Sequence, residues 1–391
     1  MEKKTPFSEK IFKLLSYILV AALASCVTFF ICTGGKFSSK LQRLETLILE
    51  CFVGEVNKTA LEDAAADAMV NATGDKWSYY IPASQYAEYL EQMQNAYVGI
   101  GVTISGNMGE QGIEILQVDE TGGAHEAGIR AGDILVSVAQ KNIREIGLSA
   151  ASDLIRGEEN TKVEIGVLRN GEQLTFAVTR RTIKVAVAKG QMLDDNIGLV
   201  HIKNFDERCA DETLAAVKAL VDQGAKALIF DVRFNPGGYK NELVEVLDYL
   251  LPEGVIFRSE SYTGQESVSE SDASCLELPM AVLVNGSSYS AAEFFAAALN
   301  EYDWAVIVGE PTVGKSYFQS TFELGDGSAV GLSIGKYYTP DGVSLADEGG
   351  LKPEIQVDVD DETEAKIYAG TLTPENDPQI QAAVAELKKA G

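Results

Sequence analysis

KALIFDVRFNPGG, residues 226–238, begins as a run of apolar residues with no polar alternation and ends in a Pro-Gly-Gly turn. A strand that reads this way has both faces covered, as in a parallel sheet clad by helices. Two further stretches repeat the plan: MAVLVNGSSYSAAEFF at 280–295 and AVIVGEPTVGKS at 305–316. IGLVHI at 197–202 is an earlier strand of the same kind. Amphipathic stretches alternate with these runs at 210–222, at 242–251 and from Ser290 onward, with Asp206 expected to cap the first. This βαβ rhythm predicts an α/β core built on a mostly parallel sheet.

Outward from that core the pattern changes. Between Tyr97 and Arg181 short apolar strands are separated by glycine turns: GIGVTIS, IEILQV, DILVSV, VEIGVLR and LTFAVT. One short helix is expected near Leu148 to Ile155. Upstream, LQRLETLILECF and ALEDAAADAMVNA have helical spacing, interrupted at 75–80, and read as a packing or dimerisation segment. Beyond the core, Asp326-Gly327 joins FQSTFEL to SAVGLSIGKYY as a hairpin.

Leu14 to Thr33 carries no charge and is long enough to cross a hydrocarbon core. Lys3, Lys4, Lys10 and Lys13 precede it, which places the N-terminus in the cytoplasm. The predicted organisation is a cytoplasmic tail at 1–13, a transmembrane signal anchor at 14–34, a helical segment at 35–95, a β-rich domain at 96–182 and an α/β core with a C-terminal helix at 183–391. The expected location is a bacterial cell membrane, single-pass, with the bulk of the chain extracytoplasmic. Two alternatives stand beside the anchor: a cleaved signal peptide, and lipid processing at Cys26, which ends a Leu-Ala-Ser-Cys stretch.

A net charge of -26 over 391 residues argues against a nucleic-acid partner, which needs clustered Lys and Arg. The five cysteines show no paired or metal spacing, and only two histidines exist, His125 and His201. A multi-histidine zinc site is thereby nearly excluded, and no metal or cofactor is expected.

Three segments arrive at the carboxyl ends of the parallel strands, where α/β sites gather. They are 233–238, 285–293 and 309–315. Ser290 sits at a strand-to-helix turn, so free backbone N–H groups and the positive end of a helix dipole lie beside its hydroxyl. Those groups, with a second N–H admitted by Gly237 or Gly238, suit the oxyanion of an acyl transfer. A serine nucleophile needs a base. His201 falls inside a strand and His125 in the β-rich block. Lys315 lies on the neighbouring strand-end loop, and desolvation makes a lysine basic enough to act. Each element also has a plainer reading: Ser290 as an N-cap, Asn-Pro-Gly-Gly as an ordinary turn. Gly309 to Ser316 has the spacing of a phosphate-binding loop, but such a loop should open a helix and YFQSTFEL reads as a strand.

Together these segments resemble the C-terminal processing peptidases, or tail-specific proteases. Gly286 to Glu293 is similar to that family's nucleophile turn and Thr312 to Gln319 to its base segment. Arg233 to Gly238 is similar to its R-x-N-P-G-G. Gly99-Ile100-Gly101-Val102 and Ala127 to Asp133 resemble its PDZ domain, and Gly74 to Tyr80 the segment before it. Three positions depart from the pattern: Tyr289 stands for a small residue, Ala292 for a serine and Ser316 for a glycine.

The resemblance implies a serine endopeptidase with Ser290 as nucleophile, Lys315 as general base and Gln319 positioning the lysine. The N–H groups of Ala291 and of Gly237 or Gly238 would form the oxyanion hole. A substrate's C-terminal tail would add as a strand beside Gly99, Ile100, Gly101 and Val102, its last side chain reaching Ile100, Val102 and Leu154. Arg156 is expected to pair with nearby acidic residues. The implied partners are proteins or peptides with exposed C-terminal tails, the membrane through the N-terminal helix, and a second copy of the chain if a homodimer forms. The alternative is a catalytically weak PDZ scaffold on a protease fold.

Overall fold

The computed structural model describes residues 15–22, 25 and 39–390, in two compact units, 1–76 and 77–391. The expected transmembrane span at 14–34 is corrected here. Its residues 15–22 and 25 are helical, the rest of it lies outside the described residues, and among the described residues no helix is long and apolar enough to cross a membrane. Crossing takes about 20 apolar residues in one helix. The fold class is therefore α/β with a β-rich domain, without that helix, and the single-pass membrane location falls with it. The tail at 1–13 and the lipid site at Cys26 lie outside the described residues.

In the first unit, Ser39 and Gln42 form a reciprocal capping box that starts the helix Lys40–Cys51, and the Asn57 side chain caps Lys58–Asn71. Lys58 bridges Glu45 and Glu62 at 3.5 and 3.4 Å.

In the second unit, the predicted parallel sheet is present. Its order is Ala188–Met192, Ile197–Ile202, Ala227–Asp231, Met280–Val284, Ala305–Gly309 and Ile355–Gln356. The first pair is antiparallel and the others parallel. Successive side chains point to opposite faces, so Leu228 and Phe230 join the core under the helices Cys209–Asp222, Lys240–Leu250 and Ala291–Glu301. Ile229, Ala281 and Leu283 face the other way, against Ile380, Ala383 and Leu387 of the helix Pro378–Ala390. Phe230 meets Phe295 edge-on at 5.3 Å, and Phe294 meets Phe257 at 4.7 Å. Each such ring contributes about 1.5–3 kcal/mol by leaving water, so these contacts fix the helix Ala291–Glu301 on the sheet.

The hairpin Tyr317–Glu323 to Ala329–Tyr338 forms as expected, but within a second, antiparallel sheet. Tyr79–Ile81, Gly254–Ser261 and Glu266–Ser271 complete that sheet. The β-rich block has the five predicted strands, a helix Ile143–Ile155 and an additional short helix Gly123–Ala127. Val102–Ile104 is an edge strand of its sheet. Asp206 does not cap the helix that follows: the helix begins at Cys209, after Arg208 in a left-handed conformation, and Asp206 offers only its carbonyl, to Cys209 N–H. Its side chain is buried instead.

Candidate active site

The three strand-end loops come together and are stitched by side chains. Asn285 Oδ1 accepts from Phe234 N–H at 2.9 Å and Ser287 N–H at 3.2 Å. Ser288 Oγ donates to Val232 O at 2.8 Å. Tyr289 N–H donates to Asn235 O at 3.2 Å, and Val313 N–H to Ser288 O at 3.3 Å.

Ser290 stands immediately before the helix Ala291–Glu301 with φ 60 and ψ -124. A serine with positive φ is strained by about 1–3 kcal/mol, and such strain persists where the surroundings over-determine it. Gly237 shows how tight they are: a Cβ there would lie 2.7 Å from Ser290 Cβ and 2.8 Å from Ala291 N. At Gly238 a Cβ would lie 2.2 Å from the Phe205 carbonyl carbon. Only a glycine at 237 lets the loop approach the serine this closely, and only a glycine at 238 lets it pass the Phe205 backbone. Gly237 N–H donates to Asn235 Oδ1 at 2.8 Å. Ala291 is the first helical residue, where backbone N–H groups have no acceptor within the helix.

Glu293, third in that helix, is fully buried. Its Oε2 accepts Ser290 N–H at 3.0 Å and Lys315 N–H at 2.9 Å. Its Oε1 accepts Gly314 N–H and the Thr312 hydroxyl, both at 2.5 Å. A buried charge is tolerated when satisfied by donors in this way. Within Gly286 to Glu293 no local motif assigns Glu293 a role at the site. The signal available was its place three residues after Ser290, the reciprocal half of a capping box.

Lys315 Nζ lies 4.8 Å from the centre of the Trp77 ring and 5.9 Å from that of Tyr289. The two rings stack at 5.9 Å with an interplanar angle of 26°. Tyr337 donates its hydroxyl to Lys315 O and shares a hydrogen bond with the Ser290 side chain. Burial pushes the Tyr337 hydroxyl well above its ordinary pKa, with the Ser290 bond pulling the other way. Gln319 is on the strand following the 309–315 loop, and its amide nitrogen donates to Tyr317 O at 3.1 Å and Ser333 Oγ at 3.0 Å.

The 233–238 loop is anchored from below. Arg233 is buried, with Nη2 2.6 Å from Asp231 Oδ2 and Nη1 2.8 Å from Asp377 and 2.9 Å from Gln379 Oε1. Burial raises the Asp231 carboxyl, but the charge and hydrogen bonds of Arg233 outweigh it and hold the group well below the usual carboxylate range. Asp206 is the opposite case: burial, then the nearby Glu242 carboxylate, push it up to about 7. His201 is half exposed, 3.8 Å from Asp231, and His125 is on the exposed side of the β-rich block.

In that block, Gly101 takes φ +75, and a Cβ there would lie 2.8 Å from Gly122 Cα. Ile100 is buried in the block's core, against which Val102 and Leu154 also pack. Gly99 ends the strand Ala96–Gly99, paired with Arg181. Arg156 pairs with Glu88 at 3.0 Å.

A strained serine at a strand–helix turn, tied to a lysine loop through one buried carboxylate, is the arrangement of a serine peptidase. Residues 196–357 match the family model Peptidase family S41, and residues 114–169 match PDZ domain. The chain is 31% identical over 359 residues to the Carboxy-terminal processing protease CtpA of Bacillus subtilis, covering 88% of this chain and 76% of that protein. It is 28% identical to the Carboxyl-terminal-processing protease of Synechocystis sp., covering 82% of this chain and 75% of that one. A solved Bacteroides fragilis protein described as an S41 protease shares the fold at 14% identity, with TM-score 0.52 and coverage of 89% and 97%. The chain belongs to peptidase family S41, the serine peptidases of the carboxy-terminal processing proteases, and carries their PDZ domain.

Proposed function

We propose that this peptidase cuts proteins within or near their C-terminal tails, with Ser290 as nucleophile and Lys315 as general base. The neutral Lys315 amine takes the Ser290 proton as Oγ attacks the scissile carbonyl. The oxyanion is held by Ala291 N–H and a second N–H from the glycine pair. Gly237 N–H is engaged by Asn235, which favours Gly238 for that part. The Lys315 ammonium returns its proton to the leaving amine, and water then hydrolyses the acyl-enzyme. Gln319 orders the start of the strand behind Lys315. The PDZ domain takes the substrate's tail along the edge strand Val102–Ile104, with Val102 and Leu154 at the pocket for its last side chain.

The observation that carries this reading is the shared Glu293 carboxylate, which joins the backbone of Ser290 to that of Lys315. The test is cleavage of a protein with an unstructured tail by wild type, Ser290→Ala and Lys315→Ala. Both variants should be folded and inactive. An active Ser290→Ala protein rules out the nucleophile, and an active Lys315→Ala protein the base.

A further inference from the structure

Tyr289, one of the departures from the family pattern, and Trp77 stack on one another beside the Lys315 side chain. The nitrogen sits 4.8 Å from the centre of the indole, within the range where a ring face attracts a cation. Trp77, Tyr289 and Lys315 are all half-buried, so the contact is partly shielded from water, which strengthens it. Trp77 comes from the segment before the PDZ domain, Tyr289 from the nucleophile turn and Lys315 from the base loop. The platform thus spans elements far apart in the chain.

We propose that Trp77 and Tyr289 are positioning residues that hold the Lys315 side chain as its ammonium and set the pH at which it becomes a base. This rests on Lys315 being the general base. A ring face stabilises the charged lysine and not the neutral amine, so it opposes loss of the proton. Activity then rises with pH only as that attraction is overcome. The rings also exclude water, which acts in the opposite direction, because desolvation disfavours the ammonium. The two effects oppose one another, so a test must change the ring's electrostatics without changing its volume.

Other titratable groups near the lysine's loop are Glu293, which accepts Lys315 N–H, and Tyr337, which donates to Lys315 O. Asp206 acts on Tyr289 through its charge, and Tyr317, two positions on, lies against Lys336. None of them is altered by fluorination of the indole.

The experiment is site-specific replacement of Trp77 in the full chain by mono-, di- and tetrafluorotryptophan, with kcat/KM for a tail peptide followed against pH. Fluorine drains the ring face at nearly constant size. The rising limb should move stepwise to lower pH, by about one unit across the series. A second pair guards against a misfolded analogue: Tyr289→Phe should leave the limb in place, whereas Tyr289→Leu, apolar without a ring face, should lower it. A flat series, a shift to higher pH, or loss of activity at every pH with the fold intact overturns the platform. The base assignment is separated by Lys315→Ala: an active variant removes the base itself, whereas an inactive variant with a flat series removes only the platform.

Discussion

Ser290 and Lys315, 25 positions apart in the sequence, donate their backbone N–H groups to the same oxygen atom, Oε2 of Glu293, at 3.0 and 2.9 Å. One buried carboxylate thus ties the backbone of the proposed nucleophile to that of the proposed base.

Replacing Glu293 should damage catalysis through geometry. Glu293→Gln presents an amide NH2 to donors that need an acceptor, and Glu293→Ala leaves four donors facing nothing. Each unsatisfied buried donor costs about 1–3 kcal/mol, so a loss of at least about 3 kcal/mol is expected on urea unfolding of Glu293→Ala. Because misplacement by an ångström can cost about a hundredfold in rate, kcat should fall by at least that factor in both variants. Wild-type kcat in Glu293→Gln would show that the carboxylate does not align the pair.

The strain at Ser290 makes a separate prediction about stability. Ser290→Ala keeps the Cβ and its positive φ but loses the hydroxyl's capping bond, and should be less stable than wild type by about 1 kcal/mol. Ser290→Gly removes the conformational cost and should be more stable than Ser290→Ala by about 1 kcal/mol. Both should be inactive. Equal stability of the two would mean that the turn relaxes.

Asp206 supplies the pH dependence. Its folded pKa, about 7, lies above the ordinary carboxylate value. A carboxyl raised on folding contributes stability that is fully present below its unfolded pKa and is lost as pH rises through about 7. Asp206→Asn should therefore match wild type near pH 4 and exceed it at pH 8 by on the order of 2 kcal/mol. The check is thermal or urea unfolding of both proteins at the two pH values, and an equal difference at both would contradict the buried carboxyl.

The ion group beneath the 233–238 loop should link the C-terminal helix to catalysis. Asp377→Ala removes one of the two carboxylates from buried Arg233, leaving Asp231 and the Gln379 amide oxygen, and should destabilise the protein by about 3 kcal/mol. It should also lower kcat/KM under conditions where the protein remains folded, since Arg233 begins the loop that carries Gly237 and Gly238. Lost stability with unchanged kcat/KM would confine the group to folding.

The parallel sheet and its three loops were legible because unbroken apolar runs such as Ala227 to Phe230 have few other uses, and strand ends are where α/β sites form. The second sheet was less legible. Glu266–Ser271 is polar at most positions and takes its place by pairing with Gly254–Ser261. Local rules also misplaced Asp206, since an acidic residue before a helix reads as a cap until the fold buries it. Glu293 was visible as a capping partner, but its bonds to Thr312, Gly314 and Lys315 arise from tertiary packing. Trp77, more than 200 positions from Lys315, left no pattern that local spacing could register.

The most direct measurement is covalent labelling with a peptidyl phosphonate, mapped by mass spectrometry and timed for wild type and Lys315→Ala. The expected result is one adduct, on Ser290, forming at least about a hundredfold more slowly without the lysine, the usual scale of general-base assistance. An adduct on another residue, or equal rates in the two proteins, would contradict the Ser290–Lys315 mechanism.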